Sequence, residues 1–272
     1  MEPEQFNTWP LVRSLLSDDG RRLEVAPGLR PRLPLEGTHF VDISTPALMK
    51  LRERGAQVVL GQIGSLPFAD GAFDLVCALD VIEHVGDDQV ALSELSRVTK
   101  LGGTLVLSAP LHISRWTAFD DFVGHKRRYD PSDLIGKLAQ NQLVVERSAV
   151  YGMQPRSTQF VDIGMWCLKH HRERALWWYN KLLMPLALRF QKQLKLAPGM
   201  IALDAVDEIL MVCRRDSRRN WRLGSVQAAS SADPPSAFNS EHADIVTLRQ
   251  EAATPVFGSL PRSSHCLPNI ET

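Results

Sequence analysis

The chain has 272 residues, 44% of them hydrophobic, which is enough to bury a full core in one large domain or two small ones. Its 31 basic and 31 acidic side chains balance, so no global attraction for nucleic acid or an anionic membrane is expected. Cys77, Cys167, Cys213 and Cys266 stand far apart with no Cys-x-x-Cys pair, which suggests neither a zinc site nor a disulfide framework, and no metal ligand set is assigned.

Met1 to Gly20 carries Glu2 and Glu4 without a continuous apolar stretch, unlike a secretory signal, and nowhere is there a run of about eighteen apolar residues of the kind a spanning helix needs. The expectation is a soluble, cytoplasmic protein. Arg22–Val25 reads as a first strand and His39–Ile43 as a second. Thr45 is the expected N-cap of a helix with Pro46 at its first position, Leu48 and Leu51 on its inner face and Gly55 at its end. Val58–Leu60, Phe73–Leu79 and Thr104–Ser108 are short apolar runs of the type found where both faces of a sheet are covered. Asp88–Lys100 has helical spacing, with Val90, Leu92, Leu95 and Val98 facing inward and Gly102 as the stop. Asp130-Pro131 starts a further helix, Leu143–Glu146 is a sixth strand and Glu208–Cys213 a seventh.

Strands and helices alternating at this spacing predict an α/β fold, a doubly wound, mostly parallel sheet whose ligand lies beyond the carboxyl ends of its strands. From Asp216 to Thr272 the composition turns to Ser, Ala, Pro, Asn and scattered charge, which predicts a disordered tail behind one domain over residues 1–215.

The most specific stretch runs from Ser65 to Pro110. It reads Ser65-Leu66-Pro67-Phe68-Ala69-Asp70-Gly71-Ala72-Phe73-Asp74, then Leu79-Asp80-Val81-Ile82-Glu83-His84-Val85, then Glu94-Leu95-Ser96-Arg97-Val98-Thr99-Lys100-Leu101-Gly102-Gly103. In that order it resembles the S-adenosylmethionine-dependent class I methyltransferases, in particular the type 11 group, over roughly Arg21 to Gly152. The resemblance implies a Rossmann-like sheet of seven strands whose last, Glu208–Cys213, is antiparallel, with residues of about 156–199 forming a helical insertion before it. It implies S-adenosyl-L-methionine as cofactor. A small-molecule or lipid-like acceptor is expected, and no nucleic acid. The competing reading is a non-catalytic protein that keeps the fold and serves as an interaction or regulatory partner.

A site for this donor needs a carboxylate for a ribose diol and apolar surface for adenine. Asp42, at the end of the second strand, offers two acceptor oxygens, although an acid at a strand end also serves commonly as a turn or cap residue. The resemblance assigns Glu24, Ala26 and Gly28 to the turn beside the methionyl end. Gly28 matches the central glycine of that turn, whereas Ala26 and Arg30 stand where outer glycines are usual, and the prolines that follow leave little room for a helix. Such a turn disfavours a pyrophosphate cofactor, which needs bare amides and a helix amino terminus. Arg30 or Arg32 is the candidate partner for the donor's carboxylate. Ile43 follows Asp42, Gln62 is placed at the adenine amino edge and Ile63 on the ring face, the alternative being a polar strand-end residue beside a core isoleucine. Asp80 and Val81 are expected to line the pocket, with His84 either on its rim or capping the next helix.

Methyl transfer is an in-line displacement, so the protein chiefly aligns two reactants and excludes water, helped by a base where the acceptor carries a proton. Asp120-Asp121-Phe122-Val123-Gly124-His125-Lys126-Arg127-Arg128-Tyr129-Asp130 resembles the Gly-His-x-Arg-Arg-Tyr loop of many type 11 members. His125 is the candidate base or acceptor orienter, with Tyr129 as second catalytic candidate and His112 and Arg128 as neighbours. The alternative is an interior clamp, with Arg127 or Arg128 paired to Asp120 or Asp121 and Tyr129 packed. The aromatic, basic-flanked segment around Trp177 and Trp178 has two readings, a packed helical cap or peripheral membrane contact through residues 175–195. The sequence leaves the oligomeric state, the acceptor and the choice among O-, N- and C-methylation open.

Overall fold

The computed structural model describes residues 2–152 and 191–216, with residues 170, 171, 177, 178, 181, 186 and 188 between them. Most of the expected insertion and, beyond Asp216, the expected tail lie outside the described residues.

Five helices, α1 (Trp9–Leu15), α2 (Thr45–Glu53), α3 (Asp88–Val98), α4 (Ala118–Val123) and α5 (Pro131–Gln140), accompany eight strands in the described residues. The strands are β1 (Arg22–Val25), β2 (Thr38–Asp42), β3 (Gln57–Leu60), β4 (Phe73–Ala78), β5 (Thr99–Pro110), β6 (Leu143–Val150), β7 (Ala197–Pro198) and β8 (Glu208–Arg215). They form one sheet in the order β3-β2-β1-β4-β5-β8-β6-β7. The β1–β2, β2–β3, β1–β4 and β4–β5 pairs are parallel, whereas β8 runs antiparallel to both β5 and β6. The seven expected strands are present, and the two-residue edge strand β7, paired antiparallel to β6, raises the number to eight. Successive strands are added on one side of β1 up to β3 and on the other side from β4, and in a doubly wound sheet such a switch point between β1 and β4 opens a crevice at the carboxyl ends.

Alternation along the strands explains why the sheet is covered twice. Leu23 and Val25, Val76 and Ala78, Leu105, Leu107 and Ala109, and Ile209, Met211 and Cys213 point to one face, where Leu92, Leu95, Val98, Leu134 and Leu138 of α3 and α5 pack on them. Leu75, Cys77, Val106, Leu210 and Val212 point to the other, against Leu11 and Val12 of α1 and against Leu33. No helix follows β1, in accord with the two prolines of that segment. Leu33, fully buried, and α1 cover the ground instead. The sequence reading did not anticipate α1.

Several local expectations are corrected. Ser44, not Thr45, caps α2, its hydroxyl accepting from the Ala47 amide at 3.4 Å, so Thr45 and Pro46 occupy the first two helical positions. In α3 the inward residue is Ala91, at 0% exposure, while Val90 is 44% exposed. That helix stops at Val98, and Thr99 begins β5 directly. Gly102 therefore lies within β5 rather than closing the helix. Its φ of +78° leads into Gly103, where an added Cβ would stand 2.8 Å from the Lys100 carbonyl oxygen.

Candidate active site

The loop after β1 is shaped by carboxylates. Glu24 alternates with Leu23 and Val25 and so faces the side covered by Leu33, where its oxygens accept from the amides of Arg32 at 2.9 and 3.0 Å and of Leu33 at 2.8 Å. Burial pushes its carboxyl up to about 7 despite those three contacts. At 3% exposure, with its oxygens engaged by these amides, Glu24 shapes the turn from beneath. Arg32 lies over the Phe6 ring, 3.8 Å from its centroid.

Ala26 has φ +55° and Gly28 φ +54°, so the alanine that replaces an outer glycine still adopts the left-handed conformation a glycine would take without strain. The Ala26 amide donates to the Val41 carbonyl at 2.8 Å, holding the turn against β2. Over Gly28 an added Cβ would meet nothing within 4 Å, so the backbone there can be approached closely.

Asp42 ends β2 beside this turn. One carboxylate oxygen accepts from the Gly28 amide at 3.0 Å and the other from the Ser44 amide at 2.8 Å. Each oxygen keeps a second lone-pair direction. Ile43 is 75% exposed and sits outside β2. Gln62 is exposed in a tight turn, with the Ser65 amide donating to its carbonyl at 3.1 Å. Ile63 corrects expectation: at 9% exposure it belongs to the main core rather than to an open ring-stacking surface.

At the end of β4, Asp80 has φ +55°, a strained conformation for a residue with a Cβ. Ser108 on β5 locks it, its hydroxyl accepting from the Asp80 amide at 2.7 Å and donating to the carboxylate at 2.6 Å. Val81 behind it is 7% exposed. Glu208, opening β8, is pushed well above the usual carboxylate range by burial and then by the neighbouring Asp80 carboxylate.

A second cluster, where the acceptor was expected, is built from the turn Ile82–His84 and the loop that follows α4. The Lys126 amide donates to the Glu83 carbonyl at 2.8 Å, and Arg127 reaches the carbonyls of Val85 and Gly86 at 2.9 and 2.7 Å and Asp88 at 2.8 Å. These contacts tie the loop to the turn. Within it, Asp120 is the organising group: it accepts from Arg128 Nε at 2.8 Å and Nη2 at 3.0 Å, and from His125 Nδ1 at 2.8 Å. Burial raises its carboxyl, but the Arg128 and Thr117 hydrogen bonds outweigh it and hold the group below the usual range. The interior clamp expected as the alternative is present, and the same carboxylate also contacts His125. Arg128, 4% exposed, is the clamp, and His125 the group it aims. Arg127 pairs with Asp88 instead of Asp120 or Asp121.

Tyr129 corrects a second expectation. It is 2% exposed, its hydroxyl donates to the Ile82 carbonyl at 3.2 Å, and burial followed by the Asp88 charge drives its proton affinity up, so it is a strut under the turn and not a proton-transfer group. His112 is likewise spoken for by the Leu203 carbonyl at 2.8 Å. His84 lies against His125 with ring centroids 4.7 Å apart, and burial, then His125, lower its proton affinity, which favours the neutral ring. Glu83 is the residue the sequence reading missed. It is 2% exposed, burial and then Asp80 push it up to about 8, and it stands 3.8 Å from His125 Nε2. Its place directly before His84 was the available signal. In the segment between β5 and His125, Ile113, Phe119 and Phe122 expose apolar surface, at 70%, 37% and 42%.

Residues 29–107 match a family model described as a methyltransferase domain. A demethylmenaquinone methyltransferase of Thermobifida fusca is 45% identical over 60 residues, 22% of this chain and 25% of that protein. A chloroplastic 2-methyl-6-phytyl-1,4-hydroquinone methyltransferase of Oryza sativa is 31% identical over 93 residues, 33% of this chain and 27% of that protein. The chain thus spans about a quarter of the length of these curated relatives. Among solved structures, a SAM-dependent methyltransferase of Thermotoga maritima described as a possible histamine N-methyltransferase aligns with a TM-score of 0.54 at 18% identity, over 78% of this chain and 89% of that one, a likeness of fold.

Proposed function

Because this chain carries the methyltransferase domain of the class I, type 11 group, whose cofactor is S-adenosylmethionine, we propose that it transfers a methyl group to a small, lipid-like aromatic acceptor of the quinol type. The observation that carries the donor half is Asp42, buried at a strand end beside the switch point with one free lone-pair direction on each oxygen, next to the open backbone at Gly28. In this reading Asp42 accepts from the ribose diol, Ile43 and Gln62 border the adenine, and the Ala26–Gly28 turn and Asp80 flank the methionyl end. The cofactor supplies an activated methyl group on a sulfonium; the protein aligns the acceptor with it and keeps water away.

The quinol class is supported by the names of the two curated relatives and by the apolar surface that Ile113, Phe119 and Phe122 expose in the segment leading to His125. His125, oriented through Nδ1 by Asp120, leaves Nε2 able to take a proton from an acceptor hydroxyl. No described helix is long and apolar enough to cross a membrane, and a cytoplasmic location with peripheral contact through residues 175–195 suits such an acceptor. Trp177 and Trp178, 56% and 53% exposed, are available for it.

The test is calorimetry with S-adenosylmethionine and its demethylated product, followed by labelled-donor transfer to a panel of alkylated hydroquinones. The expected result is donor binding that Asp42→Asn weakens, and label on at least one hydroquinone that His125→Ala abolishes. Absence of donor binding would leave the non-catalytic interaction partner as the reading; donor binding with label only on amines would replace the acceptor class.

A further inference from the structure

Glu83, His84 and His125 each offer a ligand atom, and these atoms all lie within 4.8 Å of one another. Two ligands about 2.1 Å from one metal ion stand roughly 3–4 Å apart, so the 3.8 Å between Glu83 Oε1 and His125 Nε2 needs little adjustment to close on a cation. That distance is also too long for a hydrogen bond, so the two groups face each other without one. The second Glu83 oxygen, Oε2, is buried and has no hydrogen-bond partner among the described residues. A buried carboxyl group with one oxygen left so is costly, and a cation that binds the group, at Oε1 or through both oxygens, would lower that cost.

Both imidazoles are prepared in the same sense. His125 Nδ1 contacts the Asp120 carboxylate at 2.8 Å and His84 Nδ1 the Gly124 carbonyl at 3.3 Å. An acceptor at Nδ1 places the ring proton there and leaves Nε2 as the lone-pair donor, the arrangement that metal-bound histidines require of their outer partners. Asp120 is itself fixed by Arg128, so the His125 ring is held from behind by a buried ion pair.

We propose that Glu83, His84 and His125 bind a divalent transition-metal ion, such as Mn²⁺, Co²⁺ or Zn²⁺, in a two-histidine, one-carboxylate site with coordination positions left open. Imidazole nitrogen suits these ions better than Mg²⁺ or Ca²⁺, which prefer all-oxygen shells. The site follows the end of β4, beside the Asp80 charge, and His125 follows α4, so an open position can hold an oxygen of the acceptor. Only this last role rests on the methyltransferase reading, and with the ion bound it replaces proton transfer to His125 Nε2, whose lone pair the ion takes; the metal site itself does not rest on that reading.

The experiment uses the full chain, stripped with a chelator and titrated with Mn²⁺ under electron paramagnetic resonance and with Co²⁺ under visible absorption, without donor or acceptor. The expected result is one ion per chain, with hyperfine coupling to imidazole nitrogen, and affinity reduced at least tenfold in Glu83→Gln and in His84→Gln. Glu83→Gln is isosteric and His84 is half-exposed, and urea unfolding of both variants verifies that each remains folded. No stoichiometric binding, or binding that both variants retain, overturns the proposal. Calorimetry with S-adenosylmethionine on the same samples separates the two readings: donor binding without metal removes this site alone, and metal binding without donor removes the methyltransferase reading alone.

Discussion

The two halves of the cleft are held in different ways. On the β1–β2 side, carboxylates speak to backbone: Glu24 to the amides of Arg32 and Leu33, Asp42 to those of Gly28 and Ser44. On the β4 side, side chains speak to side chains, through Arg128, Asp120, His125, Glu83 and His84. A turn held through its amides tolerates changes of side chain, which is why Ala26 can stand where a glycine is usual. A network of buried charges does not, because deleting one member strands another.

The contrast is broken most directly at Asp120. Asp120→Ala leaves the Arg128 guanidinium, whose side chain is 1% exposed, without its partner, and should cost about 3–5 kcal/mol in urea unfolding. A loss under about 1 kcal/mol would mean that the loop after α4 is not held by its ion pair.

Glu24 gives the next largest effect, and its sign is set by burial. Its carboxyl is raised from 4.5 to about 7, so the folded state holds a proton that the unfolded state has released. The associated stability is fully present below pH 4.5 and is lost as pH rises to about 7. At about 1.4 kcal/mol per pH unit this amounts to roughly 3 kcal/mol at most. Comparing the pH dependence of unfolding in the natural chain and in Glu24→Gln isolates it: the variant should be flatter over that interval. Equal slopes would remove Glu24 as the titrating group.

Smaller still is the donor contact. Asp42→Asn keeps one acceptor oxygen and loses the charge, which should weaken S-adenosylmethionine binding by about 1.5–3 kcal/mol by calorimetry. The smallest change sharpens the comparison from the other direction. Ala26→Gly relieves the positive φ and should raise stability by about 0.5–1 kcal/mol in thermal unfolding, with donor affinity changed less than about threefold. A large gain in affinity would mean that the alanine impairs the turn.

Much of this was legible in the chain. Apolar runs located seven strands, Asp130-Pro131 marked the start of α5, and the prolines after Gly28 excluded a helix there. The misreadings share a cause. Val90 and Ala91 are neighbours on a helix whose facing angle is set by the packing of α3 on the sheet, and periodicity alone leaves that angle loose by a residue. For Ile63 and Tyr129 a site role and a packed role were both open, because their motifs sit near a ligand crevice; both turn inward, where core volume and the Ile82 carbonyl receive them.

What the sequence determined by itself is local: which segments are strands, where an acid ends β2, and that an acid precedes a histidine after β4. The strand order, which brings Glu83 within 3.8 Å of His125 and sets Glu24 beneath Arg32 and Leu33, was decided only by the tertiary structure. The reason is physical. Hydrophobic periodicity assigns each residue to a face, but two side chains far apart in the chain become partners only when the sheet has chosen the neighbours of every strand.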